Sequence, residues 1–298
     1  MLDVYTSHHF VLPLPPGHRF LMEKYAMLYH AVAELPHIVF HEAPKIDPQQ
    51  LLCAHDESYI DRVISGNLTK LEMKEIGFPW SPRMVERSLR SVGATYQAAL
   101  TALDNSMAAS LAGGTHHAHQ GRGGGFCVFN DIAVASLNLL EHLPSFKIVV
   151  VDLDVHQGDG TAAILTHHKQ VFTFSMHGKN NYPFTKEKST LDIALPDGCT
   201  DEMYLKKLHD ALRIIEKEIK PDCVFYLAGT DPHENDRLGR LMLTEEGLKR
   251  RDQRVFEWIN DHQAKCIVVM GGGYGNDVST TVRLHTNTIR LAGEFKKR

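Results

Sequence analysis

Short runs of apolar and β-branched residues recur along the chain at wide intervals. They are Ile38–Phe40, Ile148–Val151, Val171–Phe174, Cys223–Leu227 and Cys266–Met270. Nearly continuous apolar runs of this length are typical of strands in a parallel sheet that is covered on both faces. A run of small residues, Ala108–Ala112, is interpreted as a further strand.

The segments between these strands favour helices. We predict helices over Pro82–Leu103, Asp131–His142, Asp201–Lys220 and Thr244–His262. The alternation of strands with helices indicates an α/β fold built on a parallel sheet. No low-complexity linker, repeat or change in composition divides the chain, so we expect residues 1–298 to form a single domain.

Composition narrows the classes of function. The formal net charge of the chain is −4, whereas nucleic-acid-binding surfaces are usually basic, and the terminal basic run Lys296–Arg298 is interpreted as a short solvated tail. We therefore predict no nucleic-acid partner. No apolar run reaches the roughly 20 residues of a membrane helix, and the first residues lack a signal-peptide pattern. The five cysteines are scattered without a CxxC pair, which is typical of reduced thiols and predicts a cytoplasmic protein.

Polar residues that could bind a metal ion follow two of the predicted strands. Asp152, Asp154 and His156 alternate where one strand ends, and ligands bind beyond the carboxyl ends of parallel strands. Buried carboxylates are costly unless they are paired or bind a cation. Two carboxylates and one histidine with an open position suit a catalytic divalent metal, with Fe(II) and Mn(II) as alternatives to zinc. The third ligand is either Asp231 or Asp236, and the pattern alone favours neither.

Two adjacent histidines follow the small-residue strand. In that place His116 and His117 could both lie beside the metal as acid–base groups. Each would need a carboxylate on its far ring nitrogen to fix its tautomer and orientation. Asp152 and Asp159 are available for that task.

Glycine-rich segments lie near the same end of the predicted sheet. Gly271–Gly273 would let the backbone pass close to the site and present Tyr274, whose hydroxyl can donate to a developing oxyanion. The segment Gly121–Gly125 superficially resembles a dinucleotide-binding loop. It lacks the preceding strand and the later acidic residue that such a loop needs, so we do not predict a nucleotide site.

Taken together, these motifs resemble those of the histone deacetylase family. The motifs that appear in the family's order, over nearly the whole chain, are His116-His117, Gly124–Asp131, Asp152–Gly160, Ala228–Asp231 and Gly271–Tyr274. Details that look most like the class IV branch and its bacterial relatives are Ala228–Asp231, Asp236–Gly239 and Tyr182-Pro183. The resemblance implies the arginase/deacetylase fold, in which helices flank a parallel sheet of about eight strands.

The resemblance also implies roles for individual residues. The zinc ligands would be Asp154, His156 and Asp231, which decides between the two candidates for the third ligand. The catalytic groups would be His116 paired with Asp152, His117 paired with Asp159, and Tyr274. The substrate tunnel would be lined by Gly125, Phe126, Tyr182 and Leu238. A structural potassium ion would be held by Asp152, Asp154, His156, Ser175 and Met176.

The implied activity is zinc-dependent removal of an acetyl or longer fatty acyl group from the lysine side chain of a protein or peptide; class IV relatives favour long acyl groups. An arginase-type hydrolase with two manganese ions would leave Tyr274 and the histidine pair without a role. An acetylpolyamine amidohydrolase is favoured by Glu234 and Asp236 near the expected tunnel mouth, whereas Leu238 at the mouth favours acyl-lysine. A non-enzymatic acyl-lysine-binding protein would not require a competent side chain at every metal-ligand and catalytic position, as this sequence has.

Overall fold

The computed structural model describes residues 1–296, and its centre is one eight-stranded sheet. The strands are β1 (Leu2–Thr6), β2 (Ile38–Glu42), β3 (Met107–Ser110), β4 (Ile148–Asp152), β5 (Val171–Gly178), β6 (Leu191–Leu195), β7 (Cys223–Ala228) and β8 (Lys265–Met270). Their order in the sheet is β2-β1-β3-β8-β7-β4-β5-β6, and every neighbouring pair runs parallel. The predicted parallel α/β fold is therefore confirmed.

Helices cover both faces of the sheet. They are α1 (Glu23–Ala33), α2 (Pro48–Leu51), α3 (Glu57–Ser65), α4 (Lys70–Ile76), α5 (Pro82–Asn105), α6 (Asp131–His142), α7 (Asp159–Leu165), α8 (Asp201–Glu218), α9 (Glu245–Asp261) and α10 (Val278–Lys296). Helices α1 and α8–α10 pack into the core on one face, and α2–α7 pack into the core on the other. None of the helices described is both long enough and apolar enough to cross a membrane.

The strand predictions were incomplete, because two of the eight strands were not predicted. The five apolar runs all lie within observed strands, but β1 and β6 were not predicted. Strand β6 is at the edge of the sheet and alternates between half-buried and exposed residues, so it carries no continuous apolar run. The run predicted as Ala108–Ala112 forms a strand over Met107–Ser110 instead; Leu111 still donates its N–H to Tyr5 O, and the chain bends at Leu111 and Ala112.

Helix boundaries differ from the predictions by one or two residues. Helix α5 continues past Leu103 to Asn105, and α8 ends at Glu218 rather than Lys220. Helix α8 stops early because Ile219 is extended and Pro221 disfavours helical backbone in the residue before it. Thr244 is the N-cap of α9, where its Oγ1 accepts the N–H of Gly247 at 3.0 Å.

The last helix also corrects the prediction of a solvated basic tail. Lys296 closes α10, and its Nζ donates to Met107 O at 3.1 Å and approaches Asp3 Oδ2 at 3.4 Å. This side chain is therefore packed against the sheet. Lys297 and Arg298 lie outside the described residues.

The strand order determines where the functional segments meet. Strands β3, β8, β7 and β4 are consecutive neighbours in the sheet, although they are far apart in the sequence. Because all four run parallel, their carboxyl ends lie along the same end of the sheet. The segments that follow them contain the predicted histidine pair, the Gly271–Tyr274 segment and all the predicted metal ligands.

Candidate metal centre and active site

Three metal-ligating side chains converge at the carboxyl ends of these strands. Asp154 and His156 follow β4, Asp231 follows β7, and one ligand atom from each lies within 4.8 Å of the other two. All three residues are buried. Nδ1 of His156 lies 3.0 Å from Asp154 Oδ1 and 3.2 Å from Asp231 Oδ2, so the imidazole faces both carboxylates at once.

Backbone N–H groups hold the two carboxylates in place. Asp154 Oδ2 accepts the N–H of Gly272 at 2.6 Å, and Asp231 Oδ1 accepts the N–H of Val155 at 2.9 Å. A Cβ atom at Gly272 would lie 1.9 Å from Asp231 Oδ2. Glycine is therefore required where the segment after β8 passes the metal ligands, as the sequence predicted.

The electrostatics of the cluster favour a bound cation. Burial and the negative charge of Asp154 raise the pKa of Asp231 to about 7. Burial opposes a charge on His156, but the two carboxylates outweigh it and raise the pKa of this imidazole to about 10. The space at Nδ1 thus attracts a positive charge, which a proton or a divalent metal ion can supply. Two carboxylates and an imidazole fit a catalytic divalent metal.

Asp236, the other candidate for the third ligand, has a different place. Its Oδ1 accepts the N–H groups of Leu238 at 2.8 Å and Gly239 at 3.0 Å, and its Oδ2 accepts the N–H of Tyr274 at 2.6 Å. Both of its carboxylate oxygens are thus bonded to the backbone, and Asp236 is not a member of the metal-ligand group. The ambiguity left by the residue pattern is therefore resolved in favour of Asp231.

Each histidine of the adjacent pair has its own carboxylate. Nδ1 of His116 lies 2.8 Å from Asp152 Oδ2, and Nδ1 of His117 lies 2.6 Å from Asp159 Oδ1. All four side chains are buried. The two imidazoles are 4.1 Å apart between ring centroids, and His116 Nε2 is 4.0 Å from the metal-ligand atom Asp154 Oδ1. Both rings thus lie beside the metal cluster.

The pKa values of the two imidazoles are shifted in opposite directions. Burial disfavours the charged form of His116, but Asp152, aided by further carboxylates, raises its pKa to about 9. Burial and the charge of His116 lower the pKa of His117 to about 4, despite the hydrogen bond to Asp159. At neutral pH the arrangement therefore combines one protonated imidazole with one neutral imidazole that can accept a proton.

A cavity of about 670 Å³ opens onto these groups. Its lining includes His116, His117, Asp154, His156, Tyr274 and the four residues predicted for the tunnel, Gly125, Phe126, Tyr182 and Leu238. The ring of Tyr182 stands nearly perpendicular to that of His117, with centroids 4.8 Å apart. Gly125 has φ +53°, and a Cβ there would lie 2.5 Å from His117 Cδ2, so only glycine leaves room for this imidazole.

Tyr274 presents its side chain to the same cavity. Its ring lies 5.9 Å from that of Phe126, and its carbonyl oxygen accepts a hydrogen bond from Arg237 Nε at 2.9 Å. Burial, with neighbouring phenol, thiol and carboxyl groups, raises the pKa of Tyr274 well above its ordinary value. The phenol therefore stays protonated and can donate a hydrogen bond at any physiological pH.

The chain shares its sequence pattern and its fold with known proteins. The model of the histone deacetylase domain matches residues 18–289. The chain belongs to the histone deacetylase family. It is similar to an uncharacterized protein from Picosynechococcus sp., with 40% identity over 288 residues that cover 95% of both chains. It is also similar to histone deacetylase 2 from Arabidopsis thaliana, with 31% identity over 243 residues that cover 78% of this chain and 62% of that protein.

Solved structures give the same result for the fold. A histone deacetylase homolog from Aquifex aeolicus superimposes with a TM-score of 0.83 at 22% identity, covering 100% of this chain and 84% of that one. The HD domain of HDA15 superimposes with a TM-score of 0.82 at 21% identity, covering 97% and 90%. These likenesses confirm the predicted arrangement of helices around an eight-stranded parallel sheet.

Membership of the histone deacetylase family bears on the arginase alternative. That chemistry needs a second metal ion and additional bridging ligands. In the part of the chain that the structure describes, the potential metal ligands form a single three-residue group, Asp154, His156 and Asp231. The described residues therefore offer one candidate metal site of this kind.

Sequence reasoning gave no role to Asp131, which anchors the histidine pair. The two oxygens of this buried carboxylate accept the N–H of Gly114 at 2.9 Å, the N–H and Oγ1 of Thr115 at 2.8 and 2.7 Å, and Oγ1 of Thr95 at 2.6 Å. These bonds fix the backbone just before His116. The signal was present in the family motif Gly124–Asp131 but had no assigned function.

His119 was also missed. Its Nε2 lies 3.0 Å from Asp159 Oδ2, so Asp159 holds one imidazole on each oxygen. Its position two residues after His117 is the only sequence signal for this contact. The second imidazole limits the rotation of Asp159 and thereby helps to orient His117.

Two of the residues predicted to hold potassium, Ser175 and Met176, lie on β5, the neighbour of β4 in the sheet. The register of β4 and β5 places Ser175 directly beside Asp152, and Ser175 and Met176 are both buried. Ser175 Oγ also contacts His177 Nδ1 at 3.0 Å. Potassium binding stays a prediction.

Proposed function

We propose that this protein is a zinc-dependent deacylase that removes an acetyl or longer acyl group from the lysine side chain of proteins or peptides. One observation carries the proposal: a buried Asp-His-Asp metal cluster, two His–Asp pairs and a protonated tyrosine face one cavity. A protein that only bound acyl-lysine would have no need for two adjacent histidines whose pKa values are shifted in opposite directions. The proposed zinc ligands are Asp154, His156 and Asp231, and iron(II) could occupy the same donors.

The chain's own residues then perform the proton transfers. A divalent metal at the cluster supplies Lewis-acid polarisation of the amide carbonyl and lowers the pKa of water. His117, neutral and held by Asp159, accepts the proton of the attacking water and returns it to the leaving amine. His116, charged and held by Asp152, stabilises the negative charge that develops. Tyr274 Oη donates to the carbonyl oxygen as it becomes an oxyanion.

The charge at the cavity mouth supports acyl-lysine over acylated polyamine. Arg19, Lys74 and Arg237 line the cavity, are exposed, and form no ion pair with any residue in the range 1–296. A single exposed carboxylate, Glu75, lies on the same lining. A polycationic substrate would meet net positive charge at this mouth, which slows its association.

The acidic residues that favoured a polyamine substrate do not face the cavity. Asp236 binds three backbone N–H groups, and Glu234 is exposed but is not part of the cavity lining. Leu238, in contrast, lines the cavity, as expected for an acyl-lysine mouth.

Four further expectations accompany the proposal. We propose a relation to class IV, based on the segments Ala228–Asp231, Asp236–Gly239 and Tyr182-Pro183. We also propose a structural potassium ion beside Ser175 and Met176. We also propose a single catalytic domain over residues 1–298 and a cytoplasmic location, the latter based on five cysteines without a disulfide.

The decisive experiment is hydrolysis of lysine peptides that carry acetyl, butyryl, octanoyl or myristoyl groups, measured with added zinc and with chelator. Metal-dependent turnover supports the deacylase, and its chain-length profile selects the acyl class. If the protein hydrolyses acetylspermidine but none of the peptides, the result would favour the polyamine alternative. The absence of turnover on every substrate by metal-loaded protein would contradict the proposed function.

A further inference from the structure

Positive charge is concentrated around the opening of the cavity. Arg19, Lys74 and Arg237 are exposed on the cavity lining and come from three segments: the loop before α1, helix α4 and the loop between β7 and α9. We call them the mouth cations. Lys24 and Arg87, also on the lining, are buried and bond to backbone carbonyl oxygens. The whole chain has a formal net charge of −4, so the opening differs in charge from the molecule as a whole.

The mouth cations have no protein partner that would account for them. None of them forms an ion pair within residues 1–296, and Glu75 is the one exposed carboxylate on the cavity lining. Arg237 donates from Nε to Tyr274 O at 2.9 Å, which leaves its two terminal NH2 groups without a partner in the same range. Arg240, which also lines the cavity, differs because it pairs with Asp197 at 3.4 Å. The mouth cations are therefore free to pair with negative charges on a bound partner.

An exposed aromatic side chain lies on the same lining. Phe184 is 85% exposed, more than any other large apolar residue of the range 1–296, and its ring centre is 6.5 Å from that of Tyr182. The loop that presents it is held by Lys186, whose Nζ donates to Asn181 O and Pro183 O, both at 2.5 Å. Aromatic side chains held in solvent beside a binding cavity are typical of contacts with a protein partner.

The cavity itself determines which parts of a partner reach these groups. When an acyl-lysine side chain enters the cavity, the residues next to it in the peptide lie at the opening. An extended chain advances about 3.3 Å per residue, so two residues on each side remain within about 7 Å of the lysine. The charge around the opening therefore acts on the sequence that flanks the acyl-lysine.

We propose that the mouth cations bind acidic residues that flank the acyl-lysine, and that Phe184 packs against an apolar residue of the same segment. The inference rests on the proposed deacylase function and names its substrate class: proteins whose acyl-lysine lies in an acidic segment. Guanidinium and ammonium groups form charge-assisted hydrogen bonds with carboxylates. A segment rich in lysine or arginine would be repelled by the same charges.

The test measures kcat/KM for three peptides that share one acyl-lysine and carry glutamate, glutamine or lysine at the two positions on each side of it. Each exposed ion pair should raise kcat/KM about 1.5-fold to fivefold, so glutamate flanks should exceed glutamine flanks by about tenfold. The difference should lie in KM, because the flanking residues do not contact the reacting atoms. In about 1 M salt, where the Debye length is about 3 Å, the preference should fall below about twofold.

Reversal of charge at the mouth assigns the preference to particular residues. Arg19→Glu and Lys74→Glu should each lower the ratio of the glutamate-flanked to the glutamine-flanked rate by about threefold to tenfold. Arg237 is left unchanged because it bonds to the carbonyl oxygen of Tyr274. Lys220→Glu is the matched control, since it makes the same change at an exposed lysine near the amino ends of the strands and should leave the ratio as in the wild type. A purely structural effect would lower both rates and leave the ratio unchanged.

A second measurement concerns the aromatic contact. Glutamate-flanked peptides that carry one leucine or one serine, placed in turn at each position within three residues of the acyl-lysine, should show at least one position where leucine is favoured about fivefold. Phe184→Ser should remove this preference. Met242→Ser is the matched control, because Met242 is 46% exposed but is not part of the cavity lining. A leucine preference that survives in Phe184→Ser would contradict the role of this ring.

Equal rates for glutamate and glutamine flanks in the wild-type protein, or a preference for lysine flanks, would overturn the proposal. So would an acidic preference that persists when Arg19→Glu and Lys74→Glu are combined. Failure of the deacylase function would look different, because the metal-loaded protein would then hydrolyse none of the peptides. In that case calorimetry with the glutamate-flanked and glutamine-flanked peptides still tests the mouth: tighter binding of the acidic peptide supports the proposal, and equal Kd values overturn it.

Discussion

Replacing Tyr274 by phenylalanine isolates the contribution of one hydroxyl group. Tyr274 is 9% exposed, and its ring packs near Phe126 and Lys24, so phenylalanine can keep these contacts. Its Oη forms no hydrogen bond with residues 1–296. The substitution therefore leaves no buried partner unsatisfied, and the free energy of unfolding should change by less than about 0.5 kcal/mol.

The expected loss lies in the transition state. Removing one preorganised donor to an oxyanion typically costs about 2.7–4 kcal/mol, which corresponds to a fall in kcat of about 10²–10³-fold. Because burial keeps the phenol protonated, this loss should be constant from pH 6 to 9 rather than growing at high pH. KM should change little if the hydroxyl acts mainly on the developing oxyanion.

The assay is steady-state hydrolysis of the best acyl-lysine peptide by metal-loaded Tyr274→Phe, with metal content and thermal unfolding measured on the same sample. Tyr29→Phe is the matched control, because Tyr29 stacks on His8, away from the cavity, and its loss should leave kcat unchanged. A folded, metal-loaded Tyr274→Phe with kcat within threefold of wild type would refute the oxyanion assignment.

Three further predictions concern the metal, the base and the core. Asp231→Asn should lose most of its bound metal by elemental analysis, whereas Asp236→Asn should keep it while losing activity; equal metal contents would contradict the ligand assignment. With metal saturating, the acid limb of the kcat/KM profile should lie below about pH 5, since burial lowers the pKa of His117 to about 4 and its neutral form is the active one. A bound cation would lower this pKa further, so a midpoint near 6.5 would argue against His117 as the base. Arg251→Met should destabilise the fold by about 3–5 kcal/mol in urea unfolding, because it leaves a buried carboxylate unpaired. Arg240→Met, which breaks an exposed pair, should cost less than about 1 kcal/mol, and similar losses in the two variants would refute this reasoning.

The sequence predicted those parts of the fold that have local signals. Strands β4, β7 and β8 are continuous apolar runs because both of their faces are buried. Strand β6 is at the sheet edge and half exposed, so its pattern is weak. Helix α9 was predicted within a residue of each end because Thr244 has an N-cap signature, and α8 was predicted too long because the effect of Pro221 was not applied.

In the functional site, too, only the residues with a local sequence signal could be associated from the sequence. Asp154 and His156 are two residues apart, so their association is visible in the sequence. The choice between Asp231 and Asp236 depends on backbone hydrogen bonds to Leu238, Gly239 and Tyr274, which no spacing rule describes. Lys24 has no local signal at all: it lies on a short helix between a glutamate and a tyrosine, and its contact with Gly273 spans 249 positions of the sequence.

Asp236 gives the cavity mouth and Tyr274 a common support. One oxygen of this carboxylate binds the backbone beside Leu238, and the other binds the backbone of Tyr274. Because a carboxyl group is planar and rigid, a shift of the mouth segment turns the same group that positions the phenol. A relative that remodels its mouth for a new partner must therefore preserve this acid or replace its hydrogen bonds, so the choice of substrate and the speed of turnover evolve together rather than separately.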